Sequence, residues 1–312
     1  MFRLLRPFEF HEPASVREAV ALLSTYGDGA RVLAGGTDLV VSMKKRELGP
    51  EHVIAISQLA ELDFMELDAD GSLRLGPLVT HAAIARSPIV REHFAMLATA
   101  CNEVGTPQIR NMGTIGGNVC KAGPSQDTPP VLVALEAQLT LVGPLGERII
   151  PLDQFCTGPF CTVMFADELL TQIRIPPIPP GGVGCYKWCT KITATDETLV
   201  GAAVVLVVDR DHVCRDVKIA LSSVAPIATR VRGAEDILRG RRLTPQLIEE
   251  AARMAASEAR PRSRAEYRCR MVRVLVGDAV NELWLRSAGQ AAGDGAGAAG
   301  GETARQDGGQ TA

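Results

Sequence analysis

The chain has 312 residues, with 33 Lys and Arg against 36 Asp and Glu and a formal net charge of −3. This balance provides no basic field for a polyphosphate backbone, so we expect no nucleic acid partner. No apolar run reaches the roughly 18 residues that a membrane-spanning helix needs. The first residues also lack the pattern of a secretory signal. We therefore expect a cytoplasmic protein without a membrane span.

The first part of the chain alternates between helix and strand patterns. The predicted elements are a helix over 15–26, a strand over 31–33, a helix over 39–47 and a strand over 52–56. Gly27 and Gly29 end the first helix. The order of the later elements predicts a βαβ unit with glycines at its first strand-to-helix corner. We assign it to an N-terminal subdomain over 1–58.

A second α+β subdomain is predicted over 59–176. Its predicted elements are strands over 73–76 and 139–142 and helices over 80–86 and 89–104. Between them lies a connection rich in glycine and proline, residues 106–130. A structureless loop of this length inside a compact domain usually serves a function, so we expect part of the site there.

Consecutive prolines over 176–180 predict a domain border, because they cannot continue a helix or a central strand. The C-terminal domain is predicted over 177–286. Its elements are two β-branched strands over 199–209 and 213–224 paired as a hairpin, a helix that Thr244 and Pro245 begin, and a helix over 265–286. Residues 287–312 lack periodicity and bulky apolar residues, so we predict a disordered tail.

The segment from Ala34 to Asp38 places two glycines where a strand ends and a helix begins. Glycines there let backbone N–H groups approach an anion closely, and Thr37 adds a hydroxyl donor. This chemistry suits a pyrophosphate. A tight turn that uses glycine for its backbone geometry alone explains this one motif equally well.

A second glycine turn, from Gly113 to Asn118, lies in the long connection. Neither turn matches G-x-G-x-x-G or the P-loop pattern. Two such turns on one chain therefore suggest a dinucleotide held by two sets of backbone amides rather than a Rossmann site. Downstream, Asp127 offers a carboxylate to a ribityl or ribose hydroxyl, although the same residue could cap the helix that follows.

The eight cysteines include no C-x-x-C pair, so we favour buried, inert thiols over a zinc or iron–sulfur site and predict no metal site. Cys120 directly follows the second turn. We interpret it as a small loop residue rather than a cluster ligand.

In this order the motifs "EPASVREAVALL", "AGGTDL", "TIGGN" and "DTPPVLVALEA" resemble the FAD-binding medium subunit of the molybdenum hydroxylases, the family of carbon monoxide and xanthine dehydrogenases. The resemblance covers about residues 8–285. It implies an α+β, two-subdomain FAD-binding fold of the PCMH type, followed by a C-terminal domain with a small antiparallel sheet and packed helices. It also implies noncovalent FAD. The implied cofactor-binding residues are Arg31, Val32, Leu33, Ala34, Gly35, Gly36, Thr37, Asp38, Leu39, Thr114, Gly117, Asn118, Asp127 and Lys187.

The resemblance places Lys187 near the flavin ring, while a solvated lysine is the alternative. It further implies a molybdopterin-binding large subunit, a small subunit with two-iron, two-sulfur clusters, and a dimer of heterotrimers. The chain would then pass electrons from those clusters to an external acceptor. We name no catalytic acid or base, because the cofactor carries the redox step.

Two other functions stay open at this point. One is a free-standing flavoenzyme of the same fold group, such as a sugar-nucleotide reductase or a covalent flavin oxidase. The oxidase would need a flavin-attaching histidine in the glycine turns, and all five histidines lie outside both turns. A flavin-free assembly module would use both glycine motifs merely as turns. Such a module would be colourless.

Overall fold

The computed structural model describes residues 4–191 and 197–298, with the backbone alone for 288–298. The strands are β1 (Glu9–His11), β2 (Ala30–Leu33), β3 (His52–Ala55), β4 (Met65–Leu67), β5 (Leu73–Leu75), β6 (Gln138–Gly143), β7 (Gly146–Pro151), β8 (Cys156–Gly158), β9 (Cys161–Thr162), β10 (Leu169–Ile175), β11 (Gly182–Thr190), β12 (Thr198–Val208), β13 (Cys214–Ser222) and β14 (Thr229–Arg230). The α-helices are α1 (Val16–Tyr26), α2 (Leu39–Lys45), α3 (His81–Arg86), α4 (Pro88–His93), α5 (Ala95–Glu103), α6 (Pro107–Met112), α7 (Ile115–Lys121), α8 (Thr128–Ala134), α9 (Leu152–Phe155), α10 (Arg232–Leu238), α11 (Pro245–Glu258) and α12 (Ala265–Ala298). Short 3-10 helices cover Gly27–Gly29 and Ala60–Leu62.

The N-terminal sheet is parallel, in the order β1-β3-β2. Because α2 connects β2 to β3, the predicted βαβ unit is confirmed. Ser15 caps α1 by accepting a hydrogen bond from the amide of Glu18, and the buried face of α1 packs in a small core with Ile54 and Ile56. The sequence analysis missed β1, since a strand of three residues shows no alternation to detect.

The middle of the chain forms an antiparallel sheet in the order β4-β5-β10-β6-β7. Helices α3, α4, α5, α7 and α8 supply buried apolar side chains to the same core as this sheet, including Val90, Leu97 and Leu132. The connection over 106–130, predicted as structureless, instead contains α6, α7 and the start of α8. Thr106 and Thr114 cap α6 and α7 through their hydroxyls. Their prolines and glycines therefore start short helices rather than prevent them.

The helix predicted over 89–104 is two helices, because Phe94 leaves the helical conformation. Its φ and ψ are −137° and 45°, and its side chain is buried in the central core. An apolar pattern at helical spacing continues across this break, which explains the single predicted element.

The C-terminal sheet is antiparallel in the order β11-β12-β13-β14, and the predicted hairpin is its β12-β13 pair. One face packs on the central core through Tyr186, Ala203 and Ala220. The other face packs on α10, α11 and α12 in a second core. Burial on both faces explains the nearly continuous apolar sequence of β12. The helix that starts at Pro245 is confirmed, with Thr244 as its N-cap.

The last helix is longer than predicted, since the backbone of α12 is helical from Ala265 through Ala298. The backbone of 287–298 continues this helix where the sequence predicts a disordered tail; five alanines in this stretch favour the helix and four glycines oppose it. The rest of that predicted tail, 299–312, lies outside the described residues. Along the stretches that the structure describes, no helix combines the length and the apolar character needed to cross a bilayer.

Candidate functional site

The first glycine turn lies where the chain leaves β2 and enters α2. It covers residues 34–38, with Asp38 at the N-cap position of α2. Gly36 has a φ of 71°, in the left-handed region that residues with a Cβ rarely adopt. Within the part of the chain that the structure describes, the amide N–H groups of residues 34–38 donate no hydrogen bond. The turn therefore presents a row of unpaired donors, as an anion-binding turn does.

Gly35 brings the first turn against the second. A Cβ atom at Gly35 would lie 1.8 Å from the carbonyl oxygen of Met112, so only glycine fits there. Next to this contact, a Cβ at Gly113 would lie 3.5 Å from the Thr37 hydroxyl oxygen. The two turns that the sequence assigns to one site are thus in contact, although they are far apart along the chain.

The second turn uses its amide groups inside the protein. The amides of Ile115, Gly116 and Asn118 donate to the carbonyls of Val79 (2.9 Å), Pro77 (3.0 Å) and Thr114 (3.0 Å), and the amide of Gly117 donates to the Thr114 hydroxyl (3.2 Å). These bonds form because the segment is the first turn of α7 and also pairs with the start of α3. The expectation of a second set of free backbone amides is therefore wrong for 115–118.

Adjacent glycines of the second turn face different surroundings. A Cβ at Gly116 would lie 2.3 Å from the Cβ of Pro77, whereas a Cβ at Gly117 would meet only the Thr114 hydroxyl, at 3.0 Å. Gly116 thus allows close packing against the protein. Gly117 borders open space, where a ligand can approach the backbone.

His81 contacts the start of the second turn through its backbone. Its amide donates to the carbonyl of Gly113 at 3.1 Å, and its buried side chain leaves Nδ1 without a partner among the described residues. Burial, and secondarily the positive charge of Arg110, lowers the pKa of His81 to about 4. The residue is therefore neutral at physiological pH. No sequence pattern predicts this role, since a lone histidine carries no motif.

Asn118 is held by the segment that follows the turn. Its side-chain oxygen accepts a hydrogen bond from the Thr128 hydroxyl at 2.6 Å, and its carbonyl accepts one from the Gln126 side chain at 2.7 Å. Because the Thr128 hydroxyl holds the Oδ1 atom of Asn118, the NH2 group of Asn118 points away from Thr128. That group is available as a donor in a fixed orientation.

Asp127 lies close to Asn118 in sequence and binds the C-terminal sheet. Its Oδ1 accepts hydrogen bonds from the hydroxyls of Tyr186 (2.8 Å) and Thr198 (2.6 Å). Burial raises the pKa of the Asp127 carboxyl, and these two donors partly offset that shift. Asp127 occupies the N-cap position of α8, but its side chain makes no capping hydrogen bond. The carboxylate is therefore oriented by Tyr186 and Thr198, which the sequence analysis missed because they are distant in the chain.

The remaining predicted residues near the first turn differ in burial and in the contacts of their side chains. Arg31 turns back and donates to the carbonyls of Asp28 (2.9 Å) and Ala30 (2.6 Å), so its guanidinium is used in the loop before β2. Val32, Leu33 and Leu39 are half-buried and support the turn. The exposed Asp38 lies 3.8 Å from the Nζ atom of Lys121. Lys121 was not predicted, although it follows Asn118 by three residues, a spacing that places both on one face of α7.

Lys187 lies on the other face of the C-terminal sheet. Alternate residues of a strand point to opposite faces, and Tyr186 faces the central core together with Asp127. Lys187 instead forms an ion pair with Glu282 of α12. The structure therefore does not bring Lys187 together with the two glycine turns, and the lysine is paired rather than simply solvated.

The cysteines are all free thiols in the structure. Cys101, Cys185 and Cys214 are buried, as expected, but Cys161 is exposed. Cys120 contacts the sulfur of Met164 at 3.7 Å, and burial raises the pKa of its thiol to about 12. Cys120 is therefore a protonated packing residue beside the second turn.

Two family models account for most of the chain. Residues 6–178 match the FAD-binding domain of molybdopterin dehydrogenases, and residues 186–283 match the C-terminal domain of the carbon monoxide dehydrogenase flavoprotein. The chain belongs to this family. It is an FAD-binding subunit of the oxidoreductase class, and its fold is the PCMH-type FAD domain followed by the family's C-terminal domain.

Individual relatives match over nearly their whole length. The carbon monoxide dehydrogenase medium chain of Hydrogenophaga pseudoflava is 35% identical, over 90% of this chain and 98% of the relative. The nicotine 6-hydroxylase medium subunit of Paenarthrobacter nicotinovorans is 35% identical, over 91% and 99%. Among solved structures, carbon monoxide dehydrogenase from Hydrogenophaga pseudoflava aligns with a TM-score of 0.87 and 35% identity, covering 91% of this chain and 99% of that one. The resemblance inferred from the motifs is confirmed.

Proposed function

We propose that this chain holds the FAD pyrophosphate against the amide groups of residues 34–38. The row of unpaired donors at this turn is the observation that carries the proposal. Backbone amides that converge on one point bind phosphate without any need for a charged side chain. Lys121 lies beside the turn and offsets the negative charge of the Asp38 carboxylate.

The second turn would line the other side of the cofactor. Gly117 borders open space, and the Asn118 NH2 group is a fixed donor. The Thr114 side chain caps α7 and keeps this segment in place. The free side of the Asp127 carboxylate would accept a hydrogen bond from a hydroxyl of the cofactor, since its Oδ1 is already bonded to Tyr186 and Thr198. FAD supplies the chemistry of accepting and donating electrons, and the chain supplies position and surroundings.

We further propose that the chain is the subunit of a larger complex that passes electrons to an external acceptor. Its partners would be a molybdopterin-binding large subunit and a small subunit with two-iron, two-sulfur clusters, assembled as a dimer of heterotrimers. Its relatives support this, because they include the medium chain of a carbon monoxide dehydrogenase, the medium subunit of a nicotine 6-hydroxylase and the FAD-binding subunit of a xanthine dehydrogenase. Electrons would enter from the clusters and leave to an external acceptor. The free thiols fit a reducing compartment, which supports a cytoplasmic location.

The visible spectrum of the purified chain tests cofactor binding, with the acid-released cofactor identified by chromatography. We expect about one FAD per chain, released by acid. A flavin that stays attached after acid would identify a covalent oxidase instead. A colourless chain that takes up no added FAD would identify an assembly module.

Purification of the chain from its native host tests the assembly. We expect molybdenum and iron to co-purify with it, and the FAD to be reduced only when both partners are present. Isolation as a free subunit that reduces its own substrate would identify a free-standing flavoenzyme.

A further inference from the structure

Three side chains with metal-binding atoms meet on the N-terminal sheet, away from the glycine turns. The His11 Nε2 atom lies 3.1 Å from the His52 Nδ1 atom. The Glu9 Oε2 atom lies 3.9 Å from that His11 nitrogen and 3.4 Å from that His52 nitrogen. Each residue thus offers one ligand atom, and the three atoms lie close together.

The spacing of these atoms matches a metal ion. A triangle with sides of 3.1, 3.4 and 3.9 Å has a point about 2.0 Å from all three corners, and zinc binds histidine nitrogen and carboxylate oxygen at about 2.0 to 2.2 Å. Two imidazoles with one carboxylate form a donor set that late first-row divalent metals prefer. The cluster could therefore take up such an ion with little movement of its ligand atoms.

The fold fixes the three side chains independently of any ion. Glu9 of β1 is the register partner of His52 of β3, and Glu9 and His11 share one face of their strand because they are two residues apart. The Tyr26 ring stacks on the His52 ring with centroids 3.6 Å apart and an angle of 15°. The same ring stacks on His11 at 5.0 Å. Both imidazoles are thus held in place by one aromatic ring.

Exposure at the cluster allows an ion to enter. The side chains of His11 and His52 are 19% and 17% exposed, and that of Glu9 is 71% exposed. Water can therefore fill the coordination positions that the protein leaves open. The partly buried imidazole nitrogens supply fixed ligands, and the exposed carboxylate can adjust to the ion.

The cluster lies near the start of the parallel strands, and the first glycine turn lies at the opposite end of β2. His52 pairs with Ala30, the first residue of β2, and the turn follows Leu33, the last residue of that strand. Three residues of a strand span about 10 Å. A metal ion here would not touch a cofactor at residues 34–38.

We propose that Glu9, His11 and His52 form a binding site for one late first-row divalent cation, with zinc as the cation to test first. The site goes beyond the proposed FAD function and does not depend on it. A hydrogen-bonded cluster that joins β1 to β3 without an ion is the competing explanation.

The test is a zinc titration of the untagged, FAD-loaded full-length protein after treatment with a chelator, using competition with a chromophoric zinc indicator. We expect about one zinc per chain. The variants His11→Gln and His52→Gln should each weaken zinc binding by at least about tenfold, since even losses in the outer shell of a metal site cost that much. Cobalt should give visible absorption bands in the wild-type protein and not in the variants.

Matched control variants distinguish zinc binding at this cluster from zinc binding by other histidines and cysteines. His93→Gln changes a histidine that lies 4.0 Å from Glu92, and Cys161→Ser removes an exposed thiol; both should bind zinc as the wild type does. FAD content should be equal in all variants, which reports on folding and keeps this test apart from the FAD proposal. If His52→Gln loses FAD, the exposed Glu9→Gln serves instead. Zinc binding below a tenth of an equivalent, or unchanged binding in the histidine variants, would overturn the proposal.

Discussion

Residues 34–38 place adjacent glycines before a short helix, and residues 113–118 place them in the first turn of one, and the two backbones serve different purposes. In the first turn the amides donate no hydrogen bond within the described chain. In the second, the amides of residues 115–118 all donate to protein oxygens. The first turn thus leaves its amides free for the proposed anion, whereas the second turn packs against it with its amides already bonded.

The contrast shows that glycine in such a motif has two physical uses. At Gly36 it allows a positive φ that residues with a Cβ rarely adopt. At Gly35 and Gly116 it removes a Cβ that would collide with Met112 or Pro77. A motif match alone does not distinguish donors from packing, whereas the hydrogen-bond partners of each amide do.

The largest effect is expected from Gly35→Ala, which separates the two turns. The new Cβ would lie 1.8 Å from the Met112 carbonyl oxygen, so the backbone must shift. We expect loss of FAD from the purified protein, with a free energy of unfolding lowered by about 3 kcal/mol, at the upper end of the usual cost of overpacking. FAD content and urea unfolding measure both. Gly29→Ala is the control, because nothing lies within 4 Å of its Cβ position; equal FAD content in the two variants would contradict the contact.

Neighbouring glycines of the second turn give a sharper comparison. Gly117→Val extends a side chain into open space, so we expect FAD affinity to fall about 100-fold, or about 3 kcal/mol, with little change in the stability of the FAD-free protein. Gly116→Ala meets Pro77 and should lower that stability by about 1 to 3 kcal/mol, with a smaller change in affinity. FAD titration and thermal unfolding of both variants measure this. The reverse pattern would place the cofactor on the other side of α7.

Acid should lower the free energy of unfolding through protonation of His81, which contacts the second turn. Its pKa is lowered to about 4 in the folded protein, against about 6.5 in an unfolded chain. Its contribution to stability is therefore complete above pH 6.5 and is lost as the pH falls toward 4. By pH 5 we expect the wild type to lose about 2 kcal/mol more than His81→Leu does, relative to pH 7. Urea unfolding of both proteins at the two pH values measures the difference, and parallel losses would exclude a buried neutral histidine.

Lys187 should have the smallest effect, because it faces away from both turns. Lys187→Gln removes a partly exposed ion pair with Glu282, which is worth about 1 kcal/mol or less. We expect unchanged FAD content and a small fall in melting temperature. Glu282→Gln should give the same result. A clear loss of FAD in Lys187→Gln alone would restore this lysine to the cofactor site.

Local patterns predicted the elements whose signals lie within a few residues. The βαβ unit, the β12-β13 hairpin and the helix after Thr244 each carry their own spacing or capping residues, and the structure contains them. Helices α6 and α7 were missed, because glycine and proline at their starts were interpreted as a loop. The break at Phe94 was missed for another reason: burial of the ring in the core decides it, and no local pattern shows that.

The parts of the site that lie within a sequence motif could be predicted. The contacts that form only when distant parts of the chain fold together could not. Both glycine turns and Asp127 were identified from their residues, and the presence of two such turns on one chain led us to assign them to one site. The Tyr186 and Thr198 hydroxyls reach Asp127 across 59 and 71 residues of chain. Such contacts depend on how the C-terminal sheet packs on the central core, which a single sequence does not display.

Amide hydrogen exchange with and without FAD tests the central claim most directly, because it reports on the amides themselves. On FAD binding, we expect exchange of residues 34–38 to slow by at least about tenfold, as newly hydrogen-bonded amides do. The amides of 115–118, already bonded, should change much less. Unchanged exchange at 34–38 in a protein that has bound FAD would contradict the account.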